Sequence, residues 1–223
     1  MSGDLNILAV DTALSACGVA VRRADGTLFA ETEPMERGQA ERLMPMIMER
    51  LDAAGLTLRD IDAYAVANGP GTFTGLRVGL ATIRALAQIS GKPAYGIGSF
   101  DAIARALPDR PLCILIETKR SDYYVRAPGC DDACMSGEEL KAIIRPDWTL
   151  AGDAVARARA ELGLSNPAHE LAFLPLDALV AGALSFTLSR ARDHAGASPA
   201  LPEPVYLRGA DVSSARRKPA RIV

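Results

Sequence analysis

Residues 68–79 read NGPGTFTGLRVG and are the most informative segment for the architecture of this chain. The segment follows a short apolar run at 61–67 that predicts a buried strand, and it opens a helical pattern that continues to about Ser90. A strand, a glycine-rich turn and a helix in this order are typical of an α/β fold, in which the helix packs on a sheet.

Three glycines in this stretch, Gly69, Gly71 and Gly75, permit backbone angles and close approaches that a side chain would block. Thr72 or Thr74 can cap the helix that follows, and the N–H groups of such a turn can hold an anion. The stretch is not a P-loop, because no Lys-Ser or Lys-Thr pair follows the glycines. It departs from a dinucleotide fingerprint, because the third glycine falls one place late. The alternative to an anion site is a sterically demanding turn that packs its helix tightly on the sheet.

The residues on either side of this stretch alternate between strand and helix patterns. Strands are predicted at 7–10, 18–21, 28–32 and 94–97, and helices at 39–54 and from a capping Ser99 to about residue 107. Asp25-Gly26, between the second and third strands, is a strong hairpin signal. The first half therefore predicts a mixed sheet with helices packed on it, an order that resembles the N-terminal lobe of the actin, hexokinase and Hsp70 superfamily.

The segment Pro-Asp-Arg-Pro at 108–111 is the predicted boundary between two lobes. Beyond it, strands are predicted at 112–116 and 123–126, and helices near 137–144, 153–162 and 176–192. We therefore divide the chain into a first lobe at 1–108, a smaller second lobe at 109–212 and a basic mobile tail at 213–223.

Composition limits the kinds of function that the chain can have. Of its 223 residues, 49% are hydrophobic and 23% are charged, as in a soluble globular protein. The net charge of -2 argues against binding of nucleic acid over the whole surface, so any contact with RNA must come from a local patch or a partner. Pro175 and Asp177 interrupt the most apolar segment, 171–188, so we expect a buried helix and no membrane span. Residues 1–11 lack a basic region followed by a long apolar stretch, so we expect no signal peptide and a cytoplasmic protein.

The cysteines and histidines do not suggest a metal site. All four cysteines are expected to be free thiols. Cys130 and Cys134 are four residues apart, but two further ligands are not apparent near them, and the only histidines are His169 and His194. We predict no metal in this chain.

Residues 69–77 resemble the Gly-Pro-Gly-Ser-Phe-Thr-Gly-hydrophobic-Arg signature of the TsaB (YeaZ) family, with Thr72 in the serine position. Three other segments resemble the same family: Asp-Thr-Ala at 11–13, Leu-Met-Pro at 43–45 and Pro-Val-Tyr-Leu-Arg at 204–208. The chain departs from the family's common pattern at two places: Arg-Gly replaces His-Ser at 37–38, and Glu-Thr-Lys replaces Asp-Ala-Arg at 117–119.

The resemblance implies an actin-like (ASKHA) α/β fold of two lobes with mixed sheets, the second lobe reduced. It implies a non-catalytic scaffold subunit, a homodimer when alone, that acts with a TsaD-like catalytic subunit and a TsaE-like ATPase. Their complex transfers a threonylcarbamoyl group to the adenosine beside the anticodon of ANN-decoding tRNAs, which this chain meets indirectly. ATP and metal would belong to the partners, so we expect no cofactor and no catalytic residue in this chain. Contact of the basic tail with tRNA phosphate is left open.

The alternative is an ATP-using kinase or carbamoyltransferase of the same superfamily. Its nucleotide-binding residues would be Asp11, Thr12, Gly69, Gly71 and Thr72. An ATP-using member needs a phosphate turn of the Asp-x-Gly-Thr kind after the first strand, and Ala13 occupies the glycine position here. Asp11 can either hold magnesium through water or cap local amides.

Two helices of the first lobe are apolar on two sides, which favours a protein partner. In the helix at 39–54, the residues assigned to the partner are Leu43, Met44, Ile47, Met48 and Leu51. In the helix at 75–90, they are Gly75, Val78, Gly79, Thr82, Ala85, Leu86 and Ile89, whereas Leu76, Leu80 and Ile83 are assigned to the chain's own sheet. Small residues let another helix come close and methionines adapt to a partner, and burial by the chain's own second lobe is the alternative.

Overall fold

The computed structural model describes residues 4–107, 111–192 and 200–208. The first half contains, in chain order, β1 (Ile7–Asp11), β2 (Ala16–Arg22), β3 (Leu28–Pro34), α1 (Gln39–Ala54), a 3-10 turn (Leu58–Asp60), β4 (Ala63–Gly69), α2 (Phe73–Ser90), β5 (Ala94–Gly98) and α3 (Ser99–Ala106). The second half contains β6 (Leu112–Glu117), β7 (Asp122–Arg126), β8 (Ala133–Ser136), α4 (Gly137–Ile143), β9 (Thr149–Gly152), α5 (Val155–Leu162), β10 (Ala168–Glu170) and α6 (Leu176–Arg192).

The first sheet is mixed, as the sequence predicts, and its strand order is β3-β2-β1-β4-β5. β1, β2 and β3 run antiparallel through the predicted hairpin, while β1, β4 and β5 run parallel. Because the carboxyl ends of parallel strands meet at one edge of a sheet, Asp11 and Gly69 end their strands at the same edge. The turns that follow these two strands are therefore brought together.

The second sheet also has five strands, in the order β10-β9-β6-β7-β8. The strands predicted at 112–116 and 123–126 are confirmed as β6 and β7. β8, β9 and β10 were not predicted, since they contain only four, four and three residues and show too little alternation to signal a strand.

Helices cover both faces of the first sheet. Val10 and Val66 point toward Gly79 of α2, on the face where α1 also packs. On the other face, Gly18 lies against Leu176 of α6, which contacts β1, β2, β4 and β5. The sheet is thus sandwiched between two helical layers, and its apolar residues form one core.

The position of α6 corrects the predicted division into lobes. We placed residues 109–212 in the second lobe, but Leu179 and Ala183 of α6 are fully buried in the core of the first sheet. That placement is wrong for α6, because its apolar face is buried on the sheet of the first lobe. A position late in the sequence does not indicate which of the two sheets a helix packs on. The predicted tail at 213–223 lies outside the described residues. Among the described helices, none is long and apolar enough to cross a membrane.

One predicted helix cap, Ser99, is wrong, and another, Thr72, is correct in position only. Ser99 is the first residue of α3, the N-cap position belongs to Gly98, and the Ser99 hydroxyl is buried without a hydrogen-bond partner among the described residues. Thr72 does occupy the N-cap position of α2, but its side chain makes no capping hydrogen bond. Thr74, the other candidate, lies inside the helix.

Candidate functional site

The turn after β4 packs directly on the turn after β1. The Thr72 N–H donates a hydrogen bond to the Ala13 carbonyl oxygen at 2.7 Å. The Thr12 hydroxyl donates to the Gly75 carbonyl oxygen, also at 2.7 Å. The Ala13 N–H in turn donates to the Asp11 carboxylate at 2.8 Å. The N–H groups of Ala13 and Thr72 are therefore bonded within the chain itself.

The glycines of residues 68–79 are required by close approaches between backbones. A β-carbon on Gly71 would lie 2.5 Å from the Ala13 carbonyl oxygen. Gly69 has a φ of +118°, and a β-carbon there would lie 2.5 Å from the carbonyl oxygen of Val205. The Val205 N–H also donates to the Asn68 carbonyl oxygen at 2.7 Å, so residues near the C-terminal end cover this turn. The packing interpretation of the glycines accounts for each of these contacts.

Most residues of the predicted nucleotide-binding set are buried. Asp11 and Thr12 are each only 1% exposed, and Gly69 and Gly71 are buried beneath neighbouring backbone. Thr72 alone of that set is partly exposed. The Ala13 carbonyl oxygen lies directly against Gly71.

Two carboxyl groups at strand ends repel each other: Asp11, the buried last residue of β1, and Asp153, which is half-buried directly after β9. Burial raises the pKa of Asp11 to about 7, although the Ala13 N–H opposes the shift and Asp153 adds to it. Burial likewise raises the pKa of Asp153 to about 6. Asp153 accepts a hydrogen bond from the Glu117 N–H at 2.9 Å. Among the described residues, no group of three or more histidine, cysteine, aspartate or glutamate side chains could hold a metal ion.

Helices α1 and α2, which the sequence predicts to be apolar on two sides, each have one buried face and one more exposed face. Leu76, Leu80 and Ile83 are buried on the chain's own sheet, as predicted. Five residues assigned to a partner are also buried within the chain, and that part of the prediction is wrong: Leu43, Ile47, Leu51, Gly75 and Gly79. Gly75 and Gly79 are buried against Thr12, and Gly79 also lies against Val66 and Val10. Helix α1 contacts both the sheet and α2, so it buries a wider arc than one sheet face requires.

The remaining predicted partner residues form a surface that we call the α1–α2 patch, in which Met44, Met48, Ala85 and Ile89 are exposed and Val78, Thr82 and Leu86 are half-buried. Met48 is 51% exposed and Ile89 is 86% exposed. Large apolar side chains this exposed on two touching helices are typical of a surface that binds another protein.

A cavity of about 490 Å³ lies between the start of α2 and the second sheet, and sequence reasoning missed it. Its lining includes four basic side chains, Arg77, Lys119, Arg120 and Arg208. Three aromatic side chains share the lining: Phe73, Tyr124 and Tyr206. Arg77, within residues 68–79, was the one sequence signal for this cavity. The other basic and aromatic side chains that line the cavity come mostly from segments distant in sequence.

A family model described as "TsaD: tRNA N6-adenosine threonylcarbamoyltransferase" matches residues 33–191. The chain is 32% identical over 148 residues to the tRNA threonylcarbamoyladenosine biosynthesis protein TsaB of Escherichia coli, in a match that spans 64% of each chain. It is 38% identical over 157 residues to an uncharacterized protein of Mycobacterium tuberculosis, covering 69% of this chain and 72% of that one.

The fold has a close counterpart among solved structures. YeaZ from Pseudomonas aeruginosa superimposes with a TM-score of 0.72 and 26% sequence identity, over 91% of this chain and all of that chain. The structural match therefore extends over both sheets, whereas the match to the Escherichia coli protein falls just short of two thirds of that relative's length.

Proposed function

The chain belongs to the TsaB (YeaZ) branch of the TsaD family and has its actin-like α/β fold, and from that premise we propose that it acts in the biosynthesis of threonylcarbamoyladenosine on tRNA. Its role is that of a non-catalytic scaffold in the cytoplasm. It binds a TsaD-like subunit that performs the transfer, and a TsaE-like ATPase joins the same assembly. In the absence of these partners the chain forms a homodimer.

The observation that carries this proposal is the α1–α2 patch. Ile89 and Met48 are exposed on helices whose opposite faces are fully used by the chain's own sheet. Ala85 on α2 is exposed and small, so it leaves room for a partner helix to approach closely. Exposed methionine adapts to a partner's shape, so one surface can serve a homodimer and a heterodimer in turn.

The geometry also supports a chain without catalytic groups, cofactor or metal of its own. The nucleotide-binding set of the alternative enzyme is buried, and the Asp11 carboxylate is bonded to its own turn rather than exposed to a ligand. A kinase or carbamoyltransferase needs an acid or base that can reach a substrate, and Asp11 is only 1% exposed. No observation on the described residues favours that alternative over the scaffold.

The experiment that tests the proposal is a reconstitution with purified proteins. The TsaD-like and TsaE-like proteins of the same cell are combined with unmodified tRNA, ATP, threonine, bicarbonate and the enzyme that makes threonylcarbamoyl-adenylate. Threonylcarbamoyladenosine is measured by mass spectrometry with and without this chain. We expect formation only when the chain is present. Equal formation without it would refute the scaffold role.

A further inference from the structure

We propose that the cavity of about 490 Å³ beside the start of α2 binds a nucleoside phosphate, with cations on the phosphate and aromatic rings against the base. We call it the basic cavity. Its size falls in the range of about 300–1,000 Å³ that is usual for small-molecule sites. A nucleotide within tRNA and a free nucleotide share this chemistry. The tRNA case rests on the proposed function, whereas the free-nucleotide case does not.

The charge of the basic cavity departs from that of the chain. Four of its ten lining residues are basic and none is acidic, although the whole chain carries 25 basic and 27 acidic residues. A neighbouring cavity of about 590 Å³ shows the contrast, since its lining includes Glu36 and Glu41 as well as Arg37 and Lys119. Like charges gathered around one concave surface repel each other, and a bound anion relieves that repulsion.

The individual cations differ in how far the chain already neutralises them. Arg208 is ion-paired with Asp122, so its charge is largely compensated. Lys119 lies 3.8 Å from Glu36, but both side chains are at least half exposed, which makes a weak pair. Arg77 has no carboxylate partner among the described residues, and its guanidinium lies 3.7 Å from the centre of the Phe73 ring. Arg77 and Lys119 are therefore the cations best able to accept a phosphate.

The aromatic side chains indicate a base rather than a phosphate alone. Phe73 and Tyr206 are 51% and 45% exposed, and their ring centres lie 5.6 Å apart. The Tyr206 hydroxyl is 3.4 Å from Arg77 Nε, so the ring and the guanidinium are held side by side. Exposed rings next to arginine are the combination on which proteins stack unpaired bases, at about 1–3 kcal/mol per base.

Two segments hold the basic cavity open. The backbone N–H of Lys119 donates to the Glu117 carboxylate at 3.0 Å and fixes the loop between β6 and β7. Lys119 itself has a φ of 60°, a left-handed conformation that an ordinary side chain rarely adopts. On the other wall, residues 203–205 are hydrogen-bonded to Asn68, which places Tyr206 over the start of α2. The lining is thus preorganised before a ligand arrives.

The test measures binding to the purified full chain. Fluorescence anisotropy reports a labelled single-stranded RNA, and calorimetry reports AMP, so the two sources of the nucleotide are separated. The charge variant is Arg77→Gln with Lys119→Gln, and the aromatic variant is Phe73→Ala. The matched control, Arg23→Gln with Arg59→Gln, removes the same charge at the opposite edge of the first sheet, where both residues lie near Asn6. Thermal melting of each variant confirms that it is folded.

We expect both site variants to weaken binding by about tenfold or more, while the control binds as the parent chain does. For RNA, the slope of log affinity against log salt should fall by about 0.7 for each phosphate contact that the charge variant removes. Binding of AMP alone assigns the site to a free nucleotide, and binding of RNA alone assigns it to a strand. The proposal is overturned if neither probe binds, if the site variants bind normally, or if poly-glutamate competes as well as the nucleotide.

These outcomes are independent of the proposed function. A chain that is required for threonylcarbamoyladenosine but whose basic cavity binds neither probe would keep its scaffold role and lose this site. A chain that binds AMP but is dispensable for the modification would keep the site and lose the role.

Discussion

Thr12, directly after β1, contacts Gly75 of α2 through both its side chain and its backbone. The Thr12 hydroxyl donates a hydrogen bond of 2.7 Å to the Gly75 carbonyl oxygen. A β-carbon on Gly75 would overlap the Thr12 carbonyl oxygen, a backbone atom that cannot move aside alone. The glycine of the motif is therefore a requirement of packing, and the exposed face of α2 depends on it for its position.

Gly75→Ala is expected to destabilise the chain by at least about 3 kcal/mol, because the new methyl group meets backbone in a fully packed core. Chemical denaturation measures the free energy of unfolding. The matched control is Gly137→Ala at the start of α4, where the closest atom is the end of the Leu162 side chain. Equal stability of Gly75→Ala and the parent chain would show that the two backbones are not in contact.

A charge introduced on the buried face of α2 should unfold the chain, whereas a charge on the exposed face should only prevent partner binding. Ile83 is 0% exposed, so Ile83→Glu places an unpaired carboxylate in the core and costs about 3 kcal/mol or more. Ala85 is exposed, so Ala85→Glu should melt as the parent chain does and still fail to bind its partner. Thermal melting and size-exclusion chromatography with the TsaD-like protein separate these effects. Normal assembly of Ala85→Glu would exclude the α1–α2 patch as the interface.

The free energy of unfolding should depend on the proton of Asp11. Burial raises the pKa of Asp11 to about 7 from 3.8, so between these values the folded chain holds a proton that the unfolded chain has released. This group therefore contributes most stability below pH 3.8, and its contribution falls as the pH rises toward 7. Asp11→Asn cannot ionise, keeps an oxygen for the Ala13 N–H, and should melt above the parent chain at pH 8. The difference should vanish near pH 4.

Asp25→Asn is the control for this pH dependence. The Thr27 N–H lowers the pKa of Asp25, so its contribution has the opposite sign: it is present at neutral pH and lost as the pH falls. Asp25→Asn should therefore gain no stability at pH 8. A constant difference between Asp11→Asn and the parent chain from pH 4 to pH 8 would contradict a raised pKa at Asp11.

The isolated chain is expected neither to hydrolyse ATP nor to transfer threonylcarbamoyl groups. Asp11 is buried, and Ala13 occupies the position where the phosphate turn of an ATP-using member would have a glycine. Release of phosphate from ATP by the pure chain measures this directly. Hydrolysis that disappears with Asp11→Asn would support the kinase-like alternative.

Much of the first sheet could be predicted because its signals are local. The run at 7–10, the Asp25-Gly26 hairpin and the helix at 39–54 follow from periodicity and turn residues. The short strands β8 and β9 lack such a pattern, since three or four residues of pairing are decided by neighbours across the sheet.

The candidate sites were less predictable because they depend on contacts between distant segments. Leu43 and Ile47 looked available to a partner, and only the packing of α1 on the sheet shows that they are buried. Arg77 and Tyr206 are 129 residues apart yet hydrogen-bonded, and no periodicity predicts such a pair. Sequence motifs identified which segments matter, and the fold determined which of their atoms are exposed.

The central claim is that this chain is required for the modification without performing its chemistry. The most direct measurement is the threonylcarbamoyladenosine content of tRNA, by mass spectrometry, in cells depleted of the chain and supplied with its variants. We expect the content to fall on depletion, to be restored by Asp11→Asn, and to stay low with Ala85→Glu. An unchanged content on depletion, or restoration by Ala85→Glu but not by Asp11→Asn, would contradict the account.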